Sequence, residues 1–138
     1  MAVFRSDKSG QSTRMLNTKI VLLVDDDLTV RRLVSESLQI SGYRVLEAYS
    51  GRDAIAISEH HPGRIDLLLS DIVMPGMTGV ELADHLKKLR PDMRIMFMSG
   101  YDQGMLVLDK GWQFIRKPFL PSALTQKVGE MLKEQPEQ

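Results

Sequence analysis

The feature that most narrows the possible folds is the run Leu67-Leu68-Leu69-Ser70-Asp71, followed by Ile72-Val73-Met74-Pro75-Gly76. It is short, apolar up to the serine, and closed off by Pro and Gly. Such a run reads as a strand buried on both faces with a loop behind it. Strands of that kind belong to parallel sheets covered by helices. In open α/β sheets ligands bind at the carboxyl ends of the strands. Asp71 is therefore a carboxylate placed where such folds usually do their chemistry.

The rest of the chain repeats the theme. Ile20 to Val24 is a second apolar strand candidate, and Asp27 to Ser41 a helix with Val30, Leu33, Val34 and Leu38 on one face and Gly42 as its stop. Arg44 to Ala48 predicts a strand, and Ser50 to about His60 a helix in which Ser50 and Asp53 are spaced as a capping pair. The apolar run ending at Asp71 predicts a strand over Ile65 to Ser70. Val80 to Arg90 predicts a helix with Leu82, His85, Leu86 and Leu89 inward or at the boundary, and Pro91 ends it. Arg94 to Ser99 and Trp112 to Arg116 are the remaining strands. Pro121 to Lys133 is a last helix marked by Leu124, Val128, Met131 and Leu132. Strands and helices alternating in this way imply an α/β fold: a five-stranded parallel sheet, doubly wound and flavodoxin-like, with helices on both faces and right-handed crossovers.

The 138 residues fit one domain. The expected division is a flexible tail over residues 1–18, rich in Ser, Thr, Gln and Gly, a domain over 19–133, and a polar tail over 134–138. Lys plus Arg and Asp plus Glu number 18 each, so the chain lacks the basic surplus of a nucleic-acid binder. The absence of Cys excludes disulfides, thiolate catalysis and Cys-ligated zinc, and fits a reducing cytoplasm. No apolar run approaches a membrane span, so no membrane contact is expected. His60, His61 and His85 lack ligand-like partners and read as surface or boundary residues, the nine Met as gap fillers, and Trp112 as packed at the edge of the fifth strand.

Four strand ends carry polar groups: Asp25-Asp26-Asp27, Asp71, Ser99, and Lys117 followed by Pro118. In a parallel sheet these ends share one edge. Carboxylates held close repel, and a hard divalent cation relieves them; Mg²⁺ takes oxygen ligands and keeps waters open for phosphate oxygens. A Lys supplies a point charge for a phosphoryl oxygen and a Ser hydroxyl supplies a donor. Together these are the parts for phosphoryl transfer onto an Asp.

With those residues in view the sequence resembles the receiver domain of two-component response regulators. The matching segments are Val24-Asp25-Asp26-Asp27, Ser70-Asp71-Ile72-Val73-Met74-Pro75-Gly76-Met77-Thr78-Gly79, Met98-Ser99-Gly100 and Phe114-Ile115-Arg116-Lys117-Pro118-Phe119. The resemblance implies that Asp71 is the phospho-acceptor. It implies that Asp25, Asp26, Asp71 and the Val73 backbone carbonyl hold Mg²⁺. Ser99 matches the hydroxyl that contacts the phosphoryl group, Lys117 the family's lysine, and Phe114 the aromatic switch that turns inward when Ser99 moves. The Lys117–Pro118 bond is typically cis in the family. The implied partners are a sensor histidine kinase or a histidine phosphotransfer protein, and a downstream protein target. The implied role is a cytoplasmic phosphorylation-controlled signalling module in a phosphorelay, not an enzyme beyond accepting its own phosphoryl group and losing it slowly.

Two departures from the family stand out. From Ser99 to Lys117 is 18 positions, about one helical turn fewer than usual. The intervening Asp102 to Gly111 has Gly near both ends and no clear helical period, so the fourth helix is expected to be short or irregular. The residues two past Asp71 and two past Ser99 are Val73 and Tyr101, expected to flank the phosphoryl group.

Two other functions compete. Asp25-Asp26-Asp27-Leu28-Thr29 spells the Asp-x-Asp-x-Thr of haloacid-dehalogenase-like Mg²⁺-dependent phosphohydrolases, with Asp25 as nucleophile. That family needs an acidic cluster after its Lys, where only Glu130, Glu134 and Glu137 follow, and it leaves Asp71 unexplained. A transcription factor would need a second domain and a basic recognition helix. Neither is expected, so direct DNA binding is not.

Overall fold

The computed structural model describes residues 18–100 and 111–133. Five parallel strands form one sheet: β1 (Ile20–Val24), β2 (Arg44–Ala48), β3 (Leu67–Asp71), β4 (Arg94–Ser99) and β5 (Gln113–Arg116). Among the described residues four helices connect or follow them: α1 (Leu28–Ile40), α2 (Gly51–His60), α3 (Gly79–Leu89) and α4 (Pro121–Leu132). The expected segment from Asp102, and Tyr101 with it, lie outside the described residues, as do the two tails apart from Thr18. None of the four helices is long and apolar enough to cross a membrane.

The sheet runs in the order β2-β1-β3-β4-β5. Leu22 pairs with Leu46 on one side and Leu68 on the other. Alternate strand residues feed two cores. Val21, Leu23, Leu67, Leu69, Met96 and Met98 meet Val34 and Leu38 of α1 and Leu124 and Val128 of α4. Leu22, Val24, Leu68, Ile95 and Phe97 meet Ala54 of α2 and Leu82, Ala83 and Leu86 of α3. From β1 the chain winds to β2 on one side and later to β3 on the other, with α1 and α2 on opposite faces. That reversal opens a crevice at the carboxyl ends of β1 and β3.

Local chemistry fixes the helix starts. The Asp27 carboxylate accepts from the Thr29 and Val30 N–H groups and caps α1. Ser50 accepts from the Asp53 N–H and caps α2. Thr78 and Glu81 form a reciprocal capping box on α3. Gly42, at φ +100°, takes the left-handed turn that ends α1.

Two side chains expected on the inner faces are not. Leu33 is half exposed because the buried stripe of α1 is Val34, Ser35 and Leu38. The small Ser35 fits there, and its hydroxyl is satisfied by the Gln39 amide at 2.9 Å. On α3 the stripe is Gly79, Leu82, Ala83 and Leu86, so Leu89 faces outward, while His85 is exposed in keeping with its reading as a surface or boundary residue. In both helices a small residue takes the close approach that a longer side chain was expected to fill. Trp112 packs as expected, its ring 5.7 Å from that of Phe97 and tilted 49°.

A candidate phosphoryl-transfer site at the carboxyl edge of the sheet

The site begins where β1 runs out of ladder. The Asp25 N–H still pairs with the Ala48 carbonyl at 3.2 Å, the last hydrogen bond between this strand and β2. The chain then turns into α1, and the turn is held by Asp25 itself. Its Oδ1 accepts from the Asp27 N–H at 2.9 Å. Asp25 is wholly buried, Asp26 exposed, and Asp71, the last residue of β3, is between the two. One carboxylate oxygen from each of the three lies within 4.8 Å of the others.

Lys117 reaches this cluster from the end of β5. Its Nζ stands 3.4 Å from Asp25 Oδ2 and 3.5 Å from Asp71 Oδ2, bridging the two carboxylates. The Lys117 N–H donates to the Ser99 carbonyl at 2.7 Å, so the lysine and the end of β4 are tied through backbone. The Lys117–Pro118 bond is cis. Ser99 is buried, and Phe114 is half-buried against the core on the α2 and α3 face, paired in register with Phe97. Val73 is 57% exposed on the loop after β3. Thus Asp25, Asp26, Asp71 and Lys117 converge, Ser99 lies beside Lys117, Val73 stands on the adjoining loop, and Phe114 sits in β5 leading to Lys117.

One lysine does not balance three carboxylates. Burial raises Asp71 to a pKa of about 6 from 3.8, and the charges of Asp25 and Asp26 push the same way against Lys117. Asp25 is also raised, chiefly by burial, though the Asp27 N–H and Lys117 favour its charged form. A site that holds carboxylates at this cost suits a hard cation with oxygen ligands.

Sequence reasoning missed three supports. The Ser70 hydroxyl donates to the Asp71 carbonyl at 2.8 Å. Gly79 lets α3 close on β3: its N–H donates to the Ile72 carbonyl at 2.8 Å, and a Cβ there would lie 2.1 Å from the Asp71 carbonyl oxygen. Arg31 on α1 donates to the Asp25 carbonyl at 2.7 Å. Only Gly79 had a signal, being a glycine that opens a helix where a capping motif alone would not require one.

Comparison with known proteins agrees with this geometry. The family model of the response regulator receiver domain matches residues 21–129. The sensor kinase CckA of Brucella abortus is 38% identical over 135 residues, which are 95% of this chain and 14% of that protein. The response regulator receiver protein CpdR of the same organism is 35% identical over 118 residues, 83% of this chain and 97% of that one. The chemotaxis response regulator CheY4 of Vibrio cholerae superposes with a TM-score of 0.76 at 30% identity, covering 84% of this chain and 100% of that one. The chain thus spans a small part of one relative and nearly all of others. These matches lend no support to the phosphohydrolase alternative, whose second aspartate here, Asp27, is engaged as the cap of α1. A receiver-type sheet order, a carboxylate cluster at its switch point, a lysine across it and a family match over most of the domain converge on one conclusion: this chain belongs to the response regulator receiver domain family.

Proposed function

We propose that the chain accepts a phosphoryl group from a phosphohistidine onto Asp71, with Mg²⁺ held by Asp25, Asp26, Asp71 and the Val73 carbonyl. The observation that carries this reading is Lys117 bridging Asp25 and Asp71 at 3.4 and 3.5 Å within a cluster of three carboxylates. Asp71, at a pKa of about 6, is mostly ionised at pH 7 and is more basic than an ordinary carboxylate. One of its oxygens attacks phosphorus, a P–O bond forms, the P–N bond to the donor imidazole breaks, and that nitrogen keeps the bonding pair and takes a proton. Mg²⁺, when bound, neutralises charge on the phosphoryl oxygens. Lys117 is placed to meet a phosphoryl oxygen on Asp71 and so give up its contact there with the carboxylate. The Ser99 hydroxyl would follow the phosphoryl group, and Phe114 would move inward behind it, changing the partner surface.

The donor is a protein, a sensor histidine kinase or a histidine phosphotransfer protein, as in the family. The surface around the site suits one. Leu28, Tyr49, Val73 and Leu120, all exposed, stand just past the ends of β1, β2, β3 and β5, the edge that carries the carboxylates. Beside them Val30, Leu33, Val34, Pro118 and Phe119 line an apolar hollow that reaches Lys117. Such a rim excludes water from the transfer when a partner covers it. The domain itself is residues 19–133, and the place of action the cytoplasm. It is a signalling module, catalysing only its own phosphorylation and slow dephosphorylation, with no direct contact to DNA.

Labelling with a small phosphodonor and Mg²⁺ tests the reading. Wild type should be labelled and Asp71→Asn should not. Label kept in Asp71→Asn and lost in Asp25→Asn would overturn it in favour of the phosphohydrolase. Lys117→Ala should keep the fold and lose the conformational response to phosphorylation.

A further inference from the structure

We propose that Arg31 is a positioning residue for the metal-binding acidic pair, acting through the Asp25 backbone; this rests on the Mg²⁺ reading of the site given above. The Asp25 carbonyl lies just past the end of β1. It is held instead by Arg31 Nη1, which donates to it at 2.7 Å. Arg31 stands one turn into α1, and its own position is fixed from the far side, where Nε meets Glu47 Oε1 of β2 at 3.3 Å. The arginine side chain is only 14% exposed. A charged group is buried to that degree only when its donors are used.

The consequence is geometric. Asp25 Oδ1 is committed to the Asp27 N–H, and its Oδ2 faces Lys117. The carboxylate of Asp26 hangs from the next residue. Turning the Asp25–Asp26 peptide would therefore move both carboxylates at once relative to Asp71, and the atom Arg31 grips is the oxygen of that peptide. Glu47 pairs in register with Leu23, two positions before Asp25, so the clamp runs from the edge strand across β1 into the turn. Partners of this kind, which orient ligands without touching the ion, typically govern tenfold or more of metal affinity.

Calorimetric titration with Mg²⁺ at pH 7.5 tests the proposal, with folding of each variant checked by circular dichroism and urea melting. Arg31→Met keeps the aliphatic stem and removes every donor; it should weaken Mg²⁺ binding roughly tenfold. Arg31→Lys restores one donor and should recover most of that loss. Glu47→Ala removes the acceptor that holds the guanidinium from the far side without touching the site and should weaken binding about two- to threefold by the same reasoning. A purely packing role would shift the melts and leave Mg²⁺ affinity alone. Wild-type affinity in folded Arg31→Met overturns the proposal. Should Arg31→Met not fold, wild-type affinity in folded Glu47→Ala overturns it equally. A wild type that binds no Mg²⁺ overturns the metal reading itself, a separate result.

Discussion

Asp71 should make the metal-free protein less stable as pH rises from about 4 to about 6. In the folded chain its pKa is raised to about 6, first by burial and then by Asp25 and Asp26, against 3.8 for an ordinary Asp. The native state therefore holds a proton that the unfolded chain has released across that window. Where the native state binds more protons, stability falls with pH. The contribution is fully present below pH 3.8 and is lost as pH rises through about 6. A shift of roughly two pKa units corresponds to about 3 kcal/mol, a large share of the 5–15 kcal/mol that holds a typical domain together. Asp25, raised as well, works in the same direction. Urea unfolding in EDTA at several pH values between 4 and 7.5, for wild type and Asp71→Asn, measures the effect. The difference between the two chains isolates the term, because every other ionisable side chain is common to both. Asp71→Asn should flatten the decline and be more stable than wild type at pH 7 by about 2–3 kcal/mol. Added Mg²⁺ should stabilise wild type at pH 7, by the linkage of binding to folding, and Asp71→Asn less. Parallel pH profiles in EDTA, or an asparagine variant less stable than wild type at pH 7, would refute the reasoning.

Gly79→Ala should destabilise the fold by about 2 kcal/mol or more, as overpacking does, because its Cβ would lie 2.1 Å from the Asp71 carbonyl oxygen; a urea midpoint equal to wild type would contradict this. Thr78→Ala removes the capping box of α3 and should cost about 1 kcal/mol in the same assay. Val73→Asn should hasten loss of the phosphoryl group, since an apolar side chain cannot hydrogen-bond a water aligned on phosphorus. Decay of the acyl phosphate with Mg²⁺ and no phosphatase measures it, and an unchanged lifetime would count against the apolar wall.

The fold was legible because its signals were redundant. Leu67 to Leu69 is buried on both faces, as an unalternating apolar run should be, and β4 begins and ends at Arg94 and Ser99 as read from sequence. Side-chain caps at Asp27, Ser50 and Thr78 start three of the four described helices, of which the Ser50–Asp53 pair is legible as such in the sequence; α4 opens at Pro121 with no side-chain cap. The errors share one cause. Leu33 and Leu89 were placed on the inner faces by hydropathy and period, which rank a residue by what it would gain from burial. Packing ranks it by what fits. Ser35, Gly79 and Ala83 occupy the close approaches because they are small, and a serine can be buried once Gln39 satisfies it.

The site was legible for a different reason and failed at a different point. Asp25, Asp71 and Lys117 are read from sequence because strand ends in a parallel sheet share an edge, so topology alone brings residues 92 positions apart within 3.4 Å. Topology says which side chains meet. It does not say which backbone atoms need partners when they do. The Asp25 carbonyl faces that need because β1 ends there, and the Asp71 carbonyl because α3 closes over it. Arg31 donates to the first with a long guanidinium, the Ser70 hydroxyl donates to the second, and Gly79 leaves the second room by having no side chain at all. Arg31 is not distinguished in sequence from an ordinary surface arginine, and Gly79 only by its place at the start of a helix. A carboxylate cluster raised in pKa by its own burial depends on such backbone anchors, since its charges repel rather than hold one another. The positions that keep this site assembled are therefore found by asking which group donates to each strand-end carbonyl and what leaves it room, rather than by searching for more chemistry among the side chains.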